Sequence, residues 1–527
     1  MRTAEIVILG VVLSIIWVPL LPAQFEALVA SDAGPAAHLG RSLVYVGDRL
    51  VVGAPDDDDL GATTGAVYVF RNGATGWVEE QKLLAATPAP GSAFGFSVAM
   101  SADGVLAIGA PFDDTLAPNA GAVFVFRWAG SRWVEEAKIT AGTRGDKFGW
   151  SVGLSDGFLV VGVPFYDDSP AEEDSGRANV YRYDGGSWTL LQVLKAYPSR
   201  AYAQYGWSVT VDSQWLAVSK VNDQRGLVDL YEFDGSLWRR QQSLTPPGDY
   251  DVDDFGYSVA CSGDVLLVGA PEDDLDDTGP GMAFLYRRRG SSAELEAVIT
   301  GKGDAGLDSF GRAVAVTVDA ALVAGSGKAF LFCYDGTMWQ YHNMFAGHPE
   351  DEFGYAVATN GASVAMGAPS SDVAAQDAGV VYVGDFDGTG CSPTLYGEGT
   401  PGSAGFVPVI TSVTCPFLGS ARYTVRATNA LGGAVGALLI GFDRASDSSR
   451  GWTLLVDMVG PPRGVVIPVL YGGTGPGGGT ADVTLAIPFN PYLNGLVLAM
   501  QFVVLDQGAS HGVAATEGLE AVLYEAF

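Results

Sequence analysis

Cysteine, histidine and positive charge are all scarce in this 527-residue chain, which has four cysteines, four histidines and 29 lysines and arginines against 60 acidic residues. So few cysteines exclude a disulfide-dense scaffold. The lack of any C-x-x-C spacing, with so few histidines, argues against a zinc site. A formal net charge of −31 repels phosphate backbones and anionic lipid headgroups, which speaks against nucleic acid as a partner. Cations, basic proteins and neutral polymers such as glycans stay open. Long apolar runs are also missing after the first 23 residues, so no membrane span is expected beyond them. Met1 to Ala23 itself reads as a targeting segment, with Arg2, an apolar stretch from Ile6 to Leu21, and a small residue at the expected cut before Gln24. A retained N-terminal anchor is the alternative. Either way, a secreted or cell-surface location is expected.

Glycine is abundant at 71 residues, and 48% of the chain is hydrophobic against 17% charged. That balance favours turn-rich β structure over long helices. One pattern recurs: an aromatic-Gly pair, a strand of small residues, a tight turn, an apolar strand, then Gly-Ala-Pro. The pairs are Phe94-Gly95, Phe148-Gly149, Tyr205-Gly206, Phe255-Gly256, Phe310-Gly311 and Phe353-Gly354, with Leu39-Gly40 as a degenerate first copy. Gly53-Ala54-Pro55, Gly109-Ala110-Pro111, Gly269-Ala270-Pro271 and Gly367-Ala368-Pro369 are the second element, and a Trp-led strand (Trp77, Trp133, Trp188, Trp238, Trp339) ends most copies. The aromatic positions lie 43 (Phe310 to Phe353) to 57 (Phe148 to Tyr205) residues apart, the length of a four-stranded propeller blade.

These residues resemble FG-GAP repeats, the family that builds the head of integrin α subunits and occurs in many secreted bacterial proteins. The resemblance covers residues 38 to 386 and implies an all-β, seven-bladed β-propeller over residues 24–386. The seventh copy lacks a Trp-led fourth strand, and a spare strand-like segment, Phe25 to Ala30, precedes the first copy. The expectation is that this segment completes the last blade and removes an exposed sheet edge. Residues 387–404, rich in Gly, Pro, Ser and Thr, read as a linker. Residues 405–527 read as a small β-sandwich-like module. Cys391 and Cys415 flank its start and are a candidate disulfide. Cys261 is expected in the core, and Cys333 aligns with exposed positions such as Arg71 and Arg127.

In a four-stranded meander the loops after strands two and four emerge on one face. Here those loops are long, whereas the opposite turns, such as Asp184-Gly185-Gly186, are tight. Long loops on a rigid scaffold commonly carry binding residues. Those after strand two are acidic: Asp56, Asp57, Asp58 and Asp59, then Asp113 and Asp114, Asp167 and Asp168, and Asp273, Asp274, Asp276 and Asp277. The expectation is a rim that contacts a protein or glycan. The competing reading is a solvated acidic surface that keeps the ring soluble. Clustered carboxylates are also the ligand type Ca2+ takes, but the one-to-two turns that hold calcium in integrin-type repeats are tight here, so those ligands do not carry over.

Other motifs fail on context. Gly149-Trp150-Ser151-Val152-Gly153 matches a nucleophile elbow, yet it sits in a repeat strand with serine at the same place in other copies. Gly473 to Gly478 fits G-x-G-x-x-G without a following helix. Arg144-Gly145-Asp146 is an adhesion-type tripeptide in a loop expected to be exposed. No convergent catalytic set is legible, so a non-catalytic binding scaffold is the leading expectation. A hydrolase or lyase with an axial site, or a structural envelope component, are the rivals.

Overall fold

A computed structural model describes residues 25–73, 76–212, 215–222, 225–248, 253–271, 281–300, 309–325, 327–386, 394–396, 399–412, 417–418, 423–441, 444–447, 454–456, 458, 465–472, 474–485, 497–509, 511–522 and 524–525. The targeting segment 1–23, Cys391, Cys415 and the Asp273 to Asp277 cluster lie outside the described residues.

Up to Phe386 the described chain forms seven four-stranded antiparallel sheets. In the second, Ser97–Met100, Val105–Ala110, Ala122–Trp128 and Trp133–Thr140 follow one another outward. The innermost strands of successive sheets touch in order, and Ser42–Val46 of the first also meets Val357–Thr359 of the last, which closes a propeller ring. The fourth strand of the last sheet is Phe25–Leu28, paired Phe25↔Gly384 to Leu28↔Val381. Its Phe25 ring stands edge-on to Phe345 of the preceding sheet at 5.0 Å.

Packing between sheets explains the repeat. Second strands such as Val105–Ala110 and Val265–Ala270 are buried at every residue. Neighbouring blades cover both faces of these second strands, whereas outer strands such as Trp133–Thr140 keep exposed positions. Phe94, Phe148, Tyr205, Phe255, Phe310 and Phe353 are all buried between blades. The glycine after Phe94 has φ +96°, where a side chain is strained, and a Cβ on Gly53 would lie 2.0 Å from the Gly95 carbonyl oxygen. The glycine of Gly-Ala-Pro in one blade thus packs on the glycine of the aromatic pair in the next.

Hydroxyls tie the same contact. Ser42 Oγ donates to Gly95 O at 2.8 Å, Ser97 to Gly149 at 2.9 Å, Ser151 to Gly206 at 2.9 Å and Ser258 to Gly311 at 2.7 Å. Further out, Trp133, Trp188 and Trp339 each donate their indole N–H to a glutamate of the preceding blade, Glu80, Glu136 and Glu296. Each of those glutamates also pairs with an arginine of its own blade, Arg49, Arg127 or Arg287.

Cys333 is buried, not exposed. Its side chain packs in the between-blade core with Val364 and Phe386, a surface that alignment to Arg71 and Arg127 does not reveal. Cys261 packs on the edge of another such core. Beyond Phe386, a sheet that includes Val435–Gly441 and Val497–Leu505 and a three-stranded sheet (Val409–Ser412, Tyr423–Gly432, Gly475–Leu485) share one core of Ile410, Val425, Val483, Leu438, Met500 and Phe502. That is a sandwich. Its first strand, Thr394–Tyr396, pairs with Gly518–Val522 and falls inside the stretch expected to be linker. The pairing supplies backbone partners that composition alone cannot show.

Candidate ligand-binding face

The acidic loops are largely committed inside their own blades. Asp57 is 5% exposed; its carboxylate accepts from Tyr68 Oη at 3.0 Å and Lys82 Nζ at 2.9 Å. Lys82 also reaches Asp59 at 2.5 Å. Asp113, 1% exposed, binds Lys138 Nζ at 2.9 Å and the Thr115 N–H at 2.9 Å. Asp168 pairs with Lys195. Asp56 meets His38 Nδ1 at 2.9 Å. Asp114 and Asp167 are exposed and hold their own loops, accepting the N–H of Asn119 at 2.7 Å and of Asp174 at 2.8 Å. Asp58 is exposed. Among the described residues no group of three or more Asp, Glu, His or Cys side chains stands close enough to share a metal ion.

In Arg144-Gly145-Asp146, Arg144 is exposed as expected, but Asp146 is not. Asp146 is 2% exposed, and its carboxylate accepts the Thr143 N–H at 2.7 Å and the Thr143 hydroxyl at 3.0 Å. Burial pushes its pKa above the usual carboxylate range. The acid of the tripeptide braces its loop and does not face a partner.

A different set gathers at the mouth of the ring. The residue after each repeat glycine stands just before the innermost strand, one per blade: Arg41, Phe96, Trp150, Trp207, Tyr257, Arg312 and Tyr355. Arg41 lies over Phe96 at 5.3 Å and over Tyr355 at 4.6 Å. Ring centroids then run Phe96–Trp150 4.8 Å, Trp150–Trp207 5.1 Å and Trp207–Tyr257 5.6 Å. Arg312 lies over Tyr355 at 4.6 Å. Six of the seven neighbouring pairs therefore touch, and the set forms a half-buried collar, with Arg312 exposed.

Two residues of the long loops after strand two fix which face this is. Phe112 meets Phe96 at 6.0 Å, and Phe165 meets Trp150 at 5.2 Å. The collar opens on the long-loop face. Lys147 lies 3.7 Å from the Phe165 centroid and 5.4 Å from that of Trp150; burial there lowers its pKa.

The collar's backbone is already used. The N–H groups of Phe96, Trp150, Trp207, Tyr257, Arg312 and Tyr355 each donate three residues back, to Ala93, Lys147, Gln204, Asp254, Ser309 and Glu352. What faces the mouth is side chain: ring faces and guanidinium groups. The sequence signal for the collar was present, as an aromatic or arginine in the same repeat position, but it is masked by the stronger aromatic-Gly pair beside it.

The repeat architecture agrees with one family model. A family model described as FG-GAP repeat matches residues 23–70, 77–126, 133–181 and 238–286. Each matched segment begins in the outer strand of one blade and ends in the third strand of the next, so the first contains the Phe25–Leu28 strand that completes the last blade. A solved structure of a protein from Lactobacillus plantarum aligns at 16% identity and TM-score 0.38 over 61% of this chain and 88% of that one. No curated protein matches the chain.

Proposed function

We propose that this chain, whose propeller is built of FG-GAP repeats, is a non-catalytic extracellular binding protein that engages a macromolecular ligand with its long-loop face, centred on the aromatic–arginine collar. One observation carries the reading: seven equivalent repeat positions converge on a single mouth and carry only Trp, Tyr, Phe and Arg. Tryptophan, tyrosine and arginine are the residues that dominate binding hot spots, because they bring large contact area at low entropic cost together with a polar or charged tip.

The acidic loops take a secondary part in this proposal. Their Lys82, Lys138 and Lys195 pairings hold the rim rigid, and the exposed Asp58, Asp114 and Asp167 shape the field around the mouth.

A glycan and protein array probed with the purified full chain, with and without EDTA, tests the reading when Trp207→Ala is run beside the wild type. The expected result is a ligand class whose capture falls at least tenfold in Trp207→Ala. Capture unchanged in that variant, while an Asp58→Ser, Asp114→Ser, Asp167→Ser triple variant loses it, would move the site from the collar to the rim.

A further inference from the structure

The two arginines of the collar contrast with a set of acid-paired arginines in the propeller. Arg49, Arg71, Arg127, Arg239, Arg240 and Arg287 each meet a carboxylate. Arg41 and Arg312 meet none among the described residues, in a chain of net charge −31. Their neighbours are ring faces, and both guanidinium groups rest on the same ring, Tyr355, at 4.6 Å each. Two like charges brought to one ring repel each other, and stacking returns only about 0.5–1 kcal/mol per contact at exposed sites. Stacking also fixes the planar forks while leaving their N–H edges unspent, which is the geometry that receives a carboxylate bidentately.

We infer that Arg41, Tyr355 and Arg312 form the carboxylate subsite of the collar and that the ligand is a glycan bearing uronic acid groups. The inference rests on the collar reading above and names the chemistry of its ligand. Three observations select it. A cationic guest would be repelled by cations already stacked on four rings of the mouth: Arg41 on Phe96 and Tyr355, and Lys147 on Phe165 and Trp150. An extended acidic peptide brings one N–H and one C=O per residue, each needing a partner, whereas the collar's own N–H groups are bonded within its turns. A sugar ring, by contrast, lays an apolar C–H face on an aromatic such as Trp207 and carries its carboxylate at the edge, toward the guanidinium groups. The acidic surface elsewhere does not forbid this, because charges beyond about 8 Å are largely screened at physiological ionic strength. Net charge alone points to neutral glycans; the local pair of arginines overrides it.

Isothermal titration of the full chain tests the proposal with three probes: a galacturonic acid tetramer, its carboxyl-reduced galactose counterpart and a hexaglutamate peptide. The expected result is that the uronate tetramer binds, that Arg41→Gln and Arg312→Gln each weaken it at least tenfold, and that Arg41→Lys recovers part of the loss. The reduced tetramer should bind at least tenfold more weakly than the uronate. Matched circular dichroism and melting curves show that the variants fold. Equal binding of both tetramers, with loss only in Trp207→Ala, would leave the collar as the site and overturn the carboxylate subsite. Arginine-dependent binding of hexaglutamate without the uronate would overturn the glycan. Uronate binding indifferent to all three substitutions would overturn both this inference and the collar reading.

Discussion

At the scale of single residues, acidic groups in this chain act mainly as internal braces. Asp113 shows why. A carboxylate 1% exposed is tolerable because Lys138 and a backbone N–H both reach it, and removing one partner of such a pair costs about 3–5 kcal/mol. Asp146 offers the cleanest pH test. Its folded pKa is raised by burial, so its contribution to stability is fully present below the ordinary carboxylate pKa and is lost as pH rises through the folded value. Asn cannot ionise. Asp146→Asn should therefore become progressively more favourable relative to wild type as pH rises from about 4, read from urea midpoints at each pH. A constant difference between the two proteins would place the titration elsewhere. None of this was legible in the sequence. A run such as Asp56 to Asp59 shows charge but not the lysine 25 residues on, Asp57 to Lys82, that consumes it.

The element scale is where the sequence spoke most clearly. Aromatic-Gly and Gly-Ala-Pro recur because one glycine must pass another at van der Waals contact, and the aromatic fills the gap between sheets. The small serine that follows adds, through its hydroxyl, a bond to the next blade. Deleting that bond should cost about 1 kcal/mol. Ser97→Ala and Ser258→Ala lie three blades apart and share no partner, so the double variant should lose about 2 kcal/mol, the sum of the two. Chemical denaturation checks this, and a loss well beyond the sum would show the ring coupling distant contacts. What the pattern hid was any feature depending on a neighbour in space: the even burial of inner strands, the enclosed Cys333, and Thr394–Tyr396 pairing across the C-terminal module.

The whole molecule depends on closure. A segment from Phe25 to Ala30 was expected to complete the last sheet, which lacks a Trp-led strand, and its first four residues, Phe25–Leu28, do so. Deleting residues 25–28 leaves the third strand of that sheet, Val380–Asp385, with an open edge and uncovers Phe345. Such edges pair with other chains. The truncated protein should melt at a clearly lower temperature and associate in a concentration-dependent way, as light scattering and sedimentation would report. A monomer with wild-type melting would mean that the other six sheets hold the ring unaided. The collar could be assembled only at this scale, since seven single residues some fifty positions apart acquire a common purpose when the circle forms.

The same closure governs how the protein carries load. The polypeptide leaves the ring at Phe386, directly after the strand on which Phe25–Leu28 lies. Tension between an anchored front end and the C-terminal sandwich would enter and leave through neighbouring antiparallel strands of one sheet. That junction, four residue pairs long with Phe25 opposite Gly384, would act as a mechanical fuse: it would peel open pair by pair before the other six sheets, and most of the collar they hold, come into the line of force.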